Sequence, residues 1–319
     1  MGRSFVPNHR AEIRLPFING RDLNQKSRNL LVIDVLEFSE SELRQQLPHI
    51  YQHLRQHVYP ERSVNNRKSY RESWWIFAEP RKEIRPALKT LKKYVVTART
   101  AKHRIFSLIA GGTVCESEVV VIGTEDEATF GVLCSSFHTA WSLRSGGWMG
   151  VGNDPRYSVS RCFDPFPFPA ATDAQRSVIG AIAGELDAHR KRVLEMQPHL
   201  TLTGLYNVLE RLKAGSGPDT LDAKERRIFD DGLVMILKDL HDQLDLAVAA
   251  AYGWPADLGE EELLTRLVAL NKERAQEEAR GLVRWLRPDY QIPRFGSATE
   301  KAQQLEADLG AEIITLPTT

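Results

Sequence analysis

The stretch RYSVSRCFDPFPFPAATDAQR, residues 156–176, separates two differently built halves of the chain. It starts with alternating residues typical of a strand and continues into a run of phenylalanines and prolines. Because proline lacks a backbone N–H and fixes its φ angle, such a run suits neither a helix interior nor a central strand. Thr172 and Asp173 then offer a helix N-cap. The sequence therefore predicts a hinge here, with a domain boundary between residues 169 and 170.

Upstream of this hinge, residue types that favour strands dominate. Short runs rich in Val, Ile, Phe and Thr alternate with glycines or charged turns. The strand candidates are LLVIDV (30–35), WWIF (74–77), KYVVTART (93–100), HRIFSLIA (103–110), SEVVVIGT (117–124) and FGVLCSSFHTAW (130–141). A helix is predicted after Ser39 or Ser41, with a break at Pro48, and a short basic helix after Pro80.

Downstream of the hinge, apolar residues recur at helical spacing. Helices are predicted over residues 173–196, 201–215, 222–255 and 259–288, followed by a peripheral tail over 297–319. The predicted fold class is α+β. A mixed, β-centred domain (residues 1–169) precedes an all-α domain (residues 170–319).

Length and composition are those of an ordinary globular protein with room for two cores, since the chain has 319 residues. The three cysteines include no CxxC pair and are odd in number, which indicates reduced thiols in a cytosolic protein. No apolar run reaches the length of a bilayer span, and the first twenty residues lack the apolar core of a signal peptide. We therefore expect a cytoplasmic protein without a membrane partner.

The net charge is zero, but the charges are unevenly distributed along the chain. Residues 55–104 contain 14 Lys and Arg against 4 Asp and Glu, a net charge of +10. Residues 222–280 contain 8 Lys and Arg against 14 Asp and Glu, a net charge of −6. A strongly basic stretch in a neutral protein indicates a local site for a polyanion, although a solvated helix face explains it equally well.

Two segments carry residue types suited to DNA. In YPERSVNNRKSYRESWW (59–75), arginines and a lysine alternate with asparagines and aromatic residues. Cationic side chains neutralise phosphates, while Asn and Tyr bond to phosphates or base edges. The alternative is a surface loop anchored by a buried Trp pair, and both descriptions can hold together.

The second segment, SSFHTAWSLRSGGWMGVGNDPRY (135–157), is a Gly-rich loop that returns into a strand. Its glycines permit close approach to a ligand, and arginine is the residue type that reads guanine through two hydrogen bonds. Arg144 and Arg156 are therefore candidates for base contact, with a phosphate clamp or a structural salt bridge as alternatives. The full set of candidate DNA-binding residues is Arg62, Asn65, Arg67, Lys68, Arg71, Lys102, His103, His138, Arg144, Arg156 and Tyr157.

No catalytic constellation is found in the sequence. It contains no GxSxG, no HExxH and no phosphate-binding loop that ends in Gly-Lys-Ser/Thr. His49, His53 and His57 share one face of an unbroken helix, but no Cys, Asp or Glu completes a metal site, so a solvent-facing stripe is favoured. We therefore predict no catalytic residue, no cofactor site and no metal site.

A series of motifs resembles the C-terminal portion of MmeI-like DNA methyltransferases, the prokaryotic single-chain type IIL restriction–modification enzymes. The motifs are, in order, INGRDL, HVYPERSVNNR, WWIFAEPR, KYVVTART…HRIF, LCSSFHTAW, RYSVSRCFDPFPFP, LTGLYNVLERL and LDLAVAAAYGWP…LLTRLVALNKERAQEEARGLVRWLRPDYQIP. The resemblance runs from about residue 8 to about residue 295. Each motif alone is weak, but eight in the same order are specific.

This resemblance implies a target-recognition domain up to the Phe/Pro run, followed by a helical domain that helps to clasp duplex DNA. In such enzymes S-adenosylmethionine and the flipped adenine bind in a catalytic region that precedes these domains. The chain contains no Pro-Pro pair, so the family's Asn-Pro-Pro-Tyr/Phe motif is not in it. We therefore expect a DNA-recognition module that serves a separately encoded methyltransferase domain or survives from a truncated gene. The alternatives are an active adenine-N6 methyltransferase and a protein-interaction scaffold.

Overall fold

The computed structural model describes residues 13–149 and 154–315, and it describes side chains as far as residue 306. The strands are β1 (Arg14–Ile18), β2 (Leu30–Ile33), β3 (Lys93–Ala98), β4 (Phe106–Ala110), β5 (Val114–Cys115), β6 (Val119–Ile122), β7 (Gly147–Met149) and β8 (Asp154–Arg156).

Helices alternate with the first strands and then dominate the chain. They are α1 (Gly20–Asn24), α2 (Glu40–Gln46), α3 (Pro48–His57), α4 (Tyr59–Ser63), α5 (Lys68–Glu72), α6 (Arg85–Leu88), α7 (Glu127–Cys134), α8 (Ser136–Ser145), α9 (Asp173–Met196), α10 (Leu202–Lys213), α11 (Ala223–Asp231), α12 (Val234–Tyr252), α13 (Glu260–Ala279), α14 (Pro288–Phe295) and α15 (Ala298–Thr315). A π-helical turn spans Val159–Phe163, and a 3-10 turn spans Pro218–Thr220.

The predicted α+β class is confirmed, because small sheets lie in the N-terminal part and a helical region follows. Two compact units divide the chain. The larger contains Met1–Asp164 and Ala170–Ala256, and the smaller contains Pro165–Pro169 and Asp257–Thr319. The domain boundary between residues 169 and 170 stays a prediction.

The sheet at the centre of the larger unit has the strand order β4-β3-β6, with both pairs antiparallel. β3 pairs on both sides, with Val95 opposite Leu108 and also opposite Ile122. Both faces of β3 are covered, since Val95 and Val96 are fully buried. This double burial explains the nearly continuous apolar run from which the strand was predicted.

Side chains of α9 close the outer edge of β4. The amide of Leu108 donates to Asp187 Oδ1 at 3.3 Å, and its carbonyl accepts from Lys191 Nζ at 2.7 Å. The buried guanidinium of Arg190 donates to the carbonyl of Phe106 at 2.7 Å. Buried backbone groups need partners, and here a helix supplies them where a further strand otherwise would.

The prediction of a strand over residues 130–141 was wrong, because this segment forms α7 and α8. Asp126 caps α7 by accepting from the Thr129 amide at 2.7 Å. α7 is buried nearly all round, so its apolar residues show no one-sided pattern. A helix and a buried strand then have the same sequence signature, and only the Asp126 cap distinguished them.

The second sheet has the strand order β2-β1-β5, in which β1 is antiparallel to β2 and parallel to β5.

A helical cluster with its own core lies in the same unit. WWIF was predicted as a strand but forms turns, so that prediction was wrong. Trp74 is buried, and its ring meets the rings of Tyr51 and Tyr59 edge-on at 5.8 and 5.0 Å. Trp75 is only half-buried, and its Nε1 donates to the Phe38 carbonyl at 2.9 Å.

Helix ends follow the capping signals of the sequence where these exist. Thr172 caps α9 in a capping box with Gln175, and Pro48 separates α2 from α3, both as predicted. Other predicted bounds were wrong. The segment 222–255 divides into α11 and α12 at Leu233, where φ is +46°. α13 ends at Ala279, and the basic helix begins only at Arg85. The predicted tail contains a helix, α15.

Within the smaller unit, α13 holds the Phe/Pro run through a side chain. Asn271 Nδ2 donates to the Pro165 carbonyl at 2.5 Å. Trp285 Nε1 donates to Glu300 Oε1 at 2.8 Å and so ties the loop after α13 to α15. In the described part of the chain, no helix combines the length and the apolar character that a bilayer span needs.

Gly131 permits the close packing of α7 against α9. A Cβ at this position would lie 2.5 Å from Ile179 Cγ2 and 3.1 Å from the Ile179 carbonyl oxygen. We expect Gly131→Ala to lower the free energy of unfolding by about 1–3 kcal/mol, because overpacking outweighs the gain in helix propensity. Urea denaturation followed by circular dichroism measures the change.

Gly184 in α9 provides the matched control, because a Cβ there meets only Glu127 Oε2 at 3.6 Å, an ordinary contact. Gly184→Ala is expected to raise the free energy of unfolding by about 0.5–1 kcal/mol. Equal effects of the two substitutions would show that helix propensity, and not the α7–α9 contact, decides both.

Candidate nucleic-acid interface

A short antiparallel hairpin of β7 and β8 follows directly on α8 and presents the second predicted segment. Gly147 pairs with Arg156, Trp148 with Pro155, and Met149 with Asp154. The end of β3 lies beside β8, since the Tyr157 amide donates to the Arg99 carbonyl at 2.7 Å. The hairpin is thus anchored to the central sheet.

The buried guanidinium of Arg104 joins the hairpin to β3. It donates to the carbonyls of Ala98 and, at 3.1 Å, Pro155, and to Thr97 Oγ1 at 3.2 Å. Its Cζ lies 5.0 Å from the centre of the Tyr157 ring, within range of a cation–π contact. Burial lowers the Arg104 pKa to about 10, so the group remains charged at neutral pH.

His138 and Tyr157 were predicted to contact DNA, but the structure places both in the interior. They are 0% and 1% exposed, and His138 Nε2 lies 2.9 Å from Tyr157 Oη. Burial, with the nearby charge of Arg104, lowers the His138 pKa to about 3, so its imidazole is neutral at pH 7. Because neither side chain reaches the surface, we assign both to the support of the hairpin and not to the interface.

Arg144 and Arg156 lie at the surface around this hairpin. Arg144 is in the last turn of α8, and Arg156 ends β8. Both are exposed, and neither guanidinium has a hydrogen-bond or ion-pair partner among the described residues. Both arginines are close to the hairpin, and their donors are unoccupied. Such guanidinium groups suit an anionic ligand or the edges of bases.

Trp148 and Met149 on β7 are also exposed, by 54% and 43%. Neither was among the residues predicted from the sequence. The available signal was an aromatic residue inside a Gly-rich loop, between the two arginines that were selected.

The first predicted segment, residues 62–71, forms a compact basic surface around Tyr70. The guanidinium of Arg62 lies 4.7 Å from the centre of the Tyr70 ring, and that of Arg67 lies 5.2 Å from it. Arg67 also donates to Tyr70 Oη at 3.0 Å. Arg62 Nη1 is buried without a hydrogen-bond partner among the described residues.

The remaining members of this segment differ in how freely they can bind. Arg71 donates to the carbonyls of Asn65 and Asn66 at 2.6 and 3.0 Å, which closes the loop between α4 and α5. Asn65 Oδ1 accepts from the Arg67 amide at 2.9 Å. Lys68 is 77% exposed and has only a long ion pair of 3.5 Å with Glu72. Arg67 and Lys68 are therefore the more available cations.

Lys102 and His103 contact α10 of this same chain. Lys102 Nζ donates to Asn207 Oδ1 at 2.8 Å and to Glu210 Oε2 at 2.9 Å, and His103 Nε2 lies 2.8 Å from Asn207 Oδ1. Burial lowers the His103 pKa below its ordinary value. Their polar atoms thus fix the loop before β4 to α10, and a role in DNA contact remains a prediction.

The described residues contain no group of three or more His, Cys, Asp or Glu side chains that could hold a metal ion. Along α3, the rings of His53 and His57 are tilted by 45° to each other, with 4.6 Å between their centres. The three predicted histidines therefore do not form a metal centre in this part of the chain.

Buried neutral histidines predict a loss of stability in mild acid. His138 and His241 are buried, and burial is the main cause that lowers the pKa of each below 6.5. Below pH 6.5 the unfolded chain then binds more protons than the folded chain. The contribution of these histidines to the free energy of unfolding is therefore fully present above pH 6.5 and is lost as the pH decreases. Between pH 7 and pH 5 we expect a loss of about 2 kcal/mol for each histidine.

Urea denaturation at both pH values measures this loss, and His138→Gln should remove the share of about 2 kcal/mol that His138 contributes. A free energy of unfolding that stays constant between pH 7 and pH 5 would contradict the assignment.

Comparison with known proteins identifies the family. A family model described as the MmeI target recognition domain matches residues 7–170. A solved structure of the type IIL restriction–modification enzyme MmeI in complex with DNA aligns with a TM-score of 0.57 and 18% sequence identity. The alignment covers 83% of this chain and 31% of that protein, so the chain spans about a third of its length. This likeness shows the fold.

No curated protein matches the chain. The family model, however, spans 164 of the 319 residues and includes β1 to β8, the hairpin and the basic segment. By this match the chain belongs to the MmeI target recognition domain family.

Proposed function

We propose that this chain recognises a specific sequence in duplex DNA for a restriction–modification system. The observation that carries the proposal is the anchored hairpin, where Arg156 on β8 and Arg144 at the adjoining end of α8 are exposed and have no partner among the described residues. Arginine forms two parallel hydrogen bonds with guanine in the major groove, and this contact requires a guanidinium whose donors are free. The buried Arg104 donates to the Pro155 carbonyl and so ties β8 to the central sheet, which supports Arg156 before binding.

The basic segment around Tyr70 supplies affinity in this proposal. Arg67 and Lys68 are exposed cations on short helices, and their charge suits the phosphate backbone of any sequence. Contacts of this kind position a protein on the duplex without reading bases. The two surfaces therefore divide affinity and specificity between them.

The comparisons support this proposal in two ways. The family is that of a target recognition domain, and the solved relative is described in complex with DNA. We propose that methyl transfer, in contrast, takes place in a catalytic region outside the residues of this chain. We propose that S-adenosylmethionine binds to that region and that this chain binds none. Isothermal titration of the purified chain with S-adenosylmethionine tests this, and measurable binding would favour the alternative of an autonomous adenine methyltransferase.

The proposal predicts different effects for the two kinds of arginine. The affinity of the chain for duplex DNA should fall as salt rises, because phosphate contacts release counterions. Arg67→Ala should weaken selected and random duplexes equally and reduce the salt slope by about one. Arg144→Ala should reduce the preference for the selected duplex by about 1–3 kcal/mol, or roughly 5- to 150-fold. Fluorescence anisotropy with a duplex selected from a random pool measures both effects.

Arg227 provides the control, since it is an arginine on α11 with a 68% exposed side chain, paired only with Asp231 at 3.4 Å. Arg227→Ala should change neither affinity nor preference. If the folded chain binds no duplex even at low salt, the proposed function is wrong.

A further inference from the structure

β7 exposes two large apolar side chains, which are consecutive in the sequence. Trp148 is 54% exposed and Met149 is 43% exposed. Burial of an aromatic side chain contributes about 1.5–3 kcal/mol, so a half-exposed tryptophan forgoes part of this stabilisation within the chain. A single exposed apolar residue needs no explanation, but β7 exposes two in succession, and Arg144 and Arg156 precede and follow them in the sequence.

The strand register separates these side chains onto two faces. Residues that are directly opposite in an antiparallel pair share a face, so Trp148 lies on the face of Pro155. Met149 lies on the other face, with Asp154 and Arg156. The hairpin therefore carries an aromatic ring on one face and a cation on the other.

The two apolar residues differ in how they are held. Met149 Sδ accepts a hydrogen bond from Thr100 Oγ1 at 3.5 Å, which ties it to the segment after β3. Trp148 has no ring contact and no hydrogen bond through its indole N–H among the described residues. Its indole is therefore available to a ligand, on a strand whose backbone is already ordered.

The surroundings of Trp148 favour a nucleic acid over an apolar protein surface. Arg156 lies on the opposite face of the same ribbon, and Arg144 lies at the end of α8 just before β7; both have unoccupied donors, and burial of unpaired cations against an apolar partner is costly. A two-stranded ribbon also fits the width of the major groove. There an apolar ring can contact thymine methyl groups. Stacking, which contributes about 1–3 kcal/mol per base, requires a base that has left the duplex stack.

We propose that Trp148 contacts bases of the DNA target and is a specificity-determining residue of the hairpin. This inference rests on the proposed function, because it assigns to the same hairpin a second residue that contacts bases, through apolar contact and not through hydrogen bonds. Arg144 and Arg156 recognise hydrogen-bond acceptors, whereas Trp148 recognises the apolar and stacking surface of a base. The hairpin then reads two kinds of base feature from its two faces.

The experiment compares the wild-type chain with Trp148→Ala and Trp148→Phe. Wild type first selects a preferred duplex from a random-sequence pool, and each variant is then titrated with that duplex and with a scrambled one. Trp148→Ala should lower the ratio of the two affinities at least about tenfold, which corresponds to about 1.4 kcal/mol. Trp148→Phe, which retains a ring, should keep the ratio within about threefold of wild type.

Met196→Ala is the matched control, because Met196 is 69% exposed at the end of α9. It should leave the ratio unchanged. Thermal melting should be nearly the same for all variants, since both residues are largely exposed, and this comparison excludes a folding defect. A second readout is tryptophan fluorescence, where the quenching that the selected duplex causes in wild type should be reduced in Trp148→Phe.

The possible failures of the two proposals are distinguishable. If wild type binds and discriminates but Trp148→Ala keeps the same affinity ratio, the inference on Trp148 is overturned and the proposed function stands. If wild type binds no duplex, both are overturned. If Trp148→Ala weakens the selected and scrambled duplexes equally, Trp148 contributes to affinity alone, and its role in specificity is overturned.

Discussion

The buried guanidinium of Arg104 is the interaction on which the arrangement of the hairpin depends. A charge removed from water is costly unless its donors are satisfied. The two terminal nitrogens of Arg104 donate to the carbonyls of Ala98 and Pro155 and to the hydroxyl of Thr97, and the cation lies over the ring of Tyr157, while its Nε has no hydrogen-bond partner among the described residues. These partners come from β3 on one side and β8 on the other. The central sheet and the hairpin therefore share one cation.

This connection places exposed residues on an ordered support. Tyr157 contacts Arg104 with its ring and His138 with its hydroxyl, so α8 joins the same buried network. The side chains that can meet a ligand lie directly outside it, at the end of α8 and on both strands of the hairpin. Preorganisation of this kind lowers the ordering cost of binding.

Sequence patterns predicted the parts of the fold that rest on local signals. The strands of the central sheet follow from β-branched runs, and α9 begins where Thr172 offers a cap. α7 was missed because a helix buried on all sides has no polar face, and the long segment 222–255 divides at Leu233, a residue type that rarely adopts positive φ. These features depend on packing between distant segments, which a single sequence does not display.

The candidate site was predicted in a similar way. Arg144 and Arg156 were selected by residue type, and their exposure agrees with the role proposed for them. His138 and Tyr157 lie in the same predicted segment, but whether a His or Tyr faces inward depends on what covers it. Trp148 was not among the candidates; tryptophan is a residue type that often packs in a core, and only the fold shows that this side chain is 54% exposed.

The closure of β4 by α9 has a consequence for the behaviour of the protein at high concentration. A sheet edge with unpaired amides and carbonyls is a template on which a strand of a neighbouring molecule can add. Asp187, Arg190 and Lys191 occupy the polar groups of Phe106 and Leu108 at that position. Because a helix in the same unit supplies these partners, the central sheet is protected against self-association at this edge for as long as α9 stays docked.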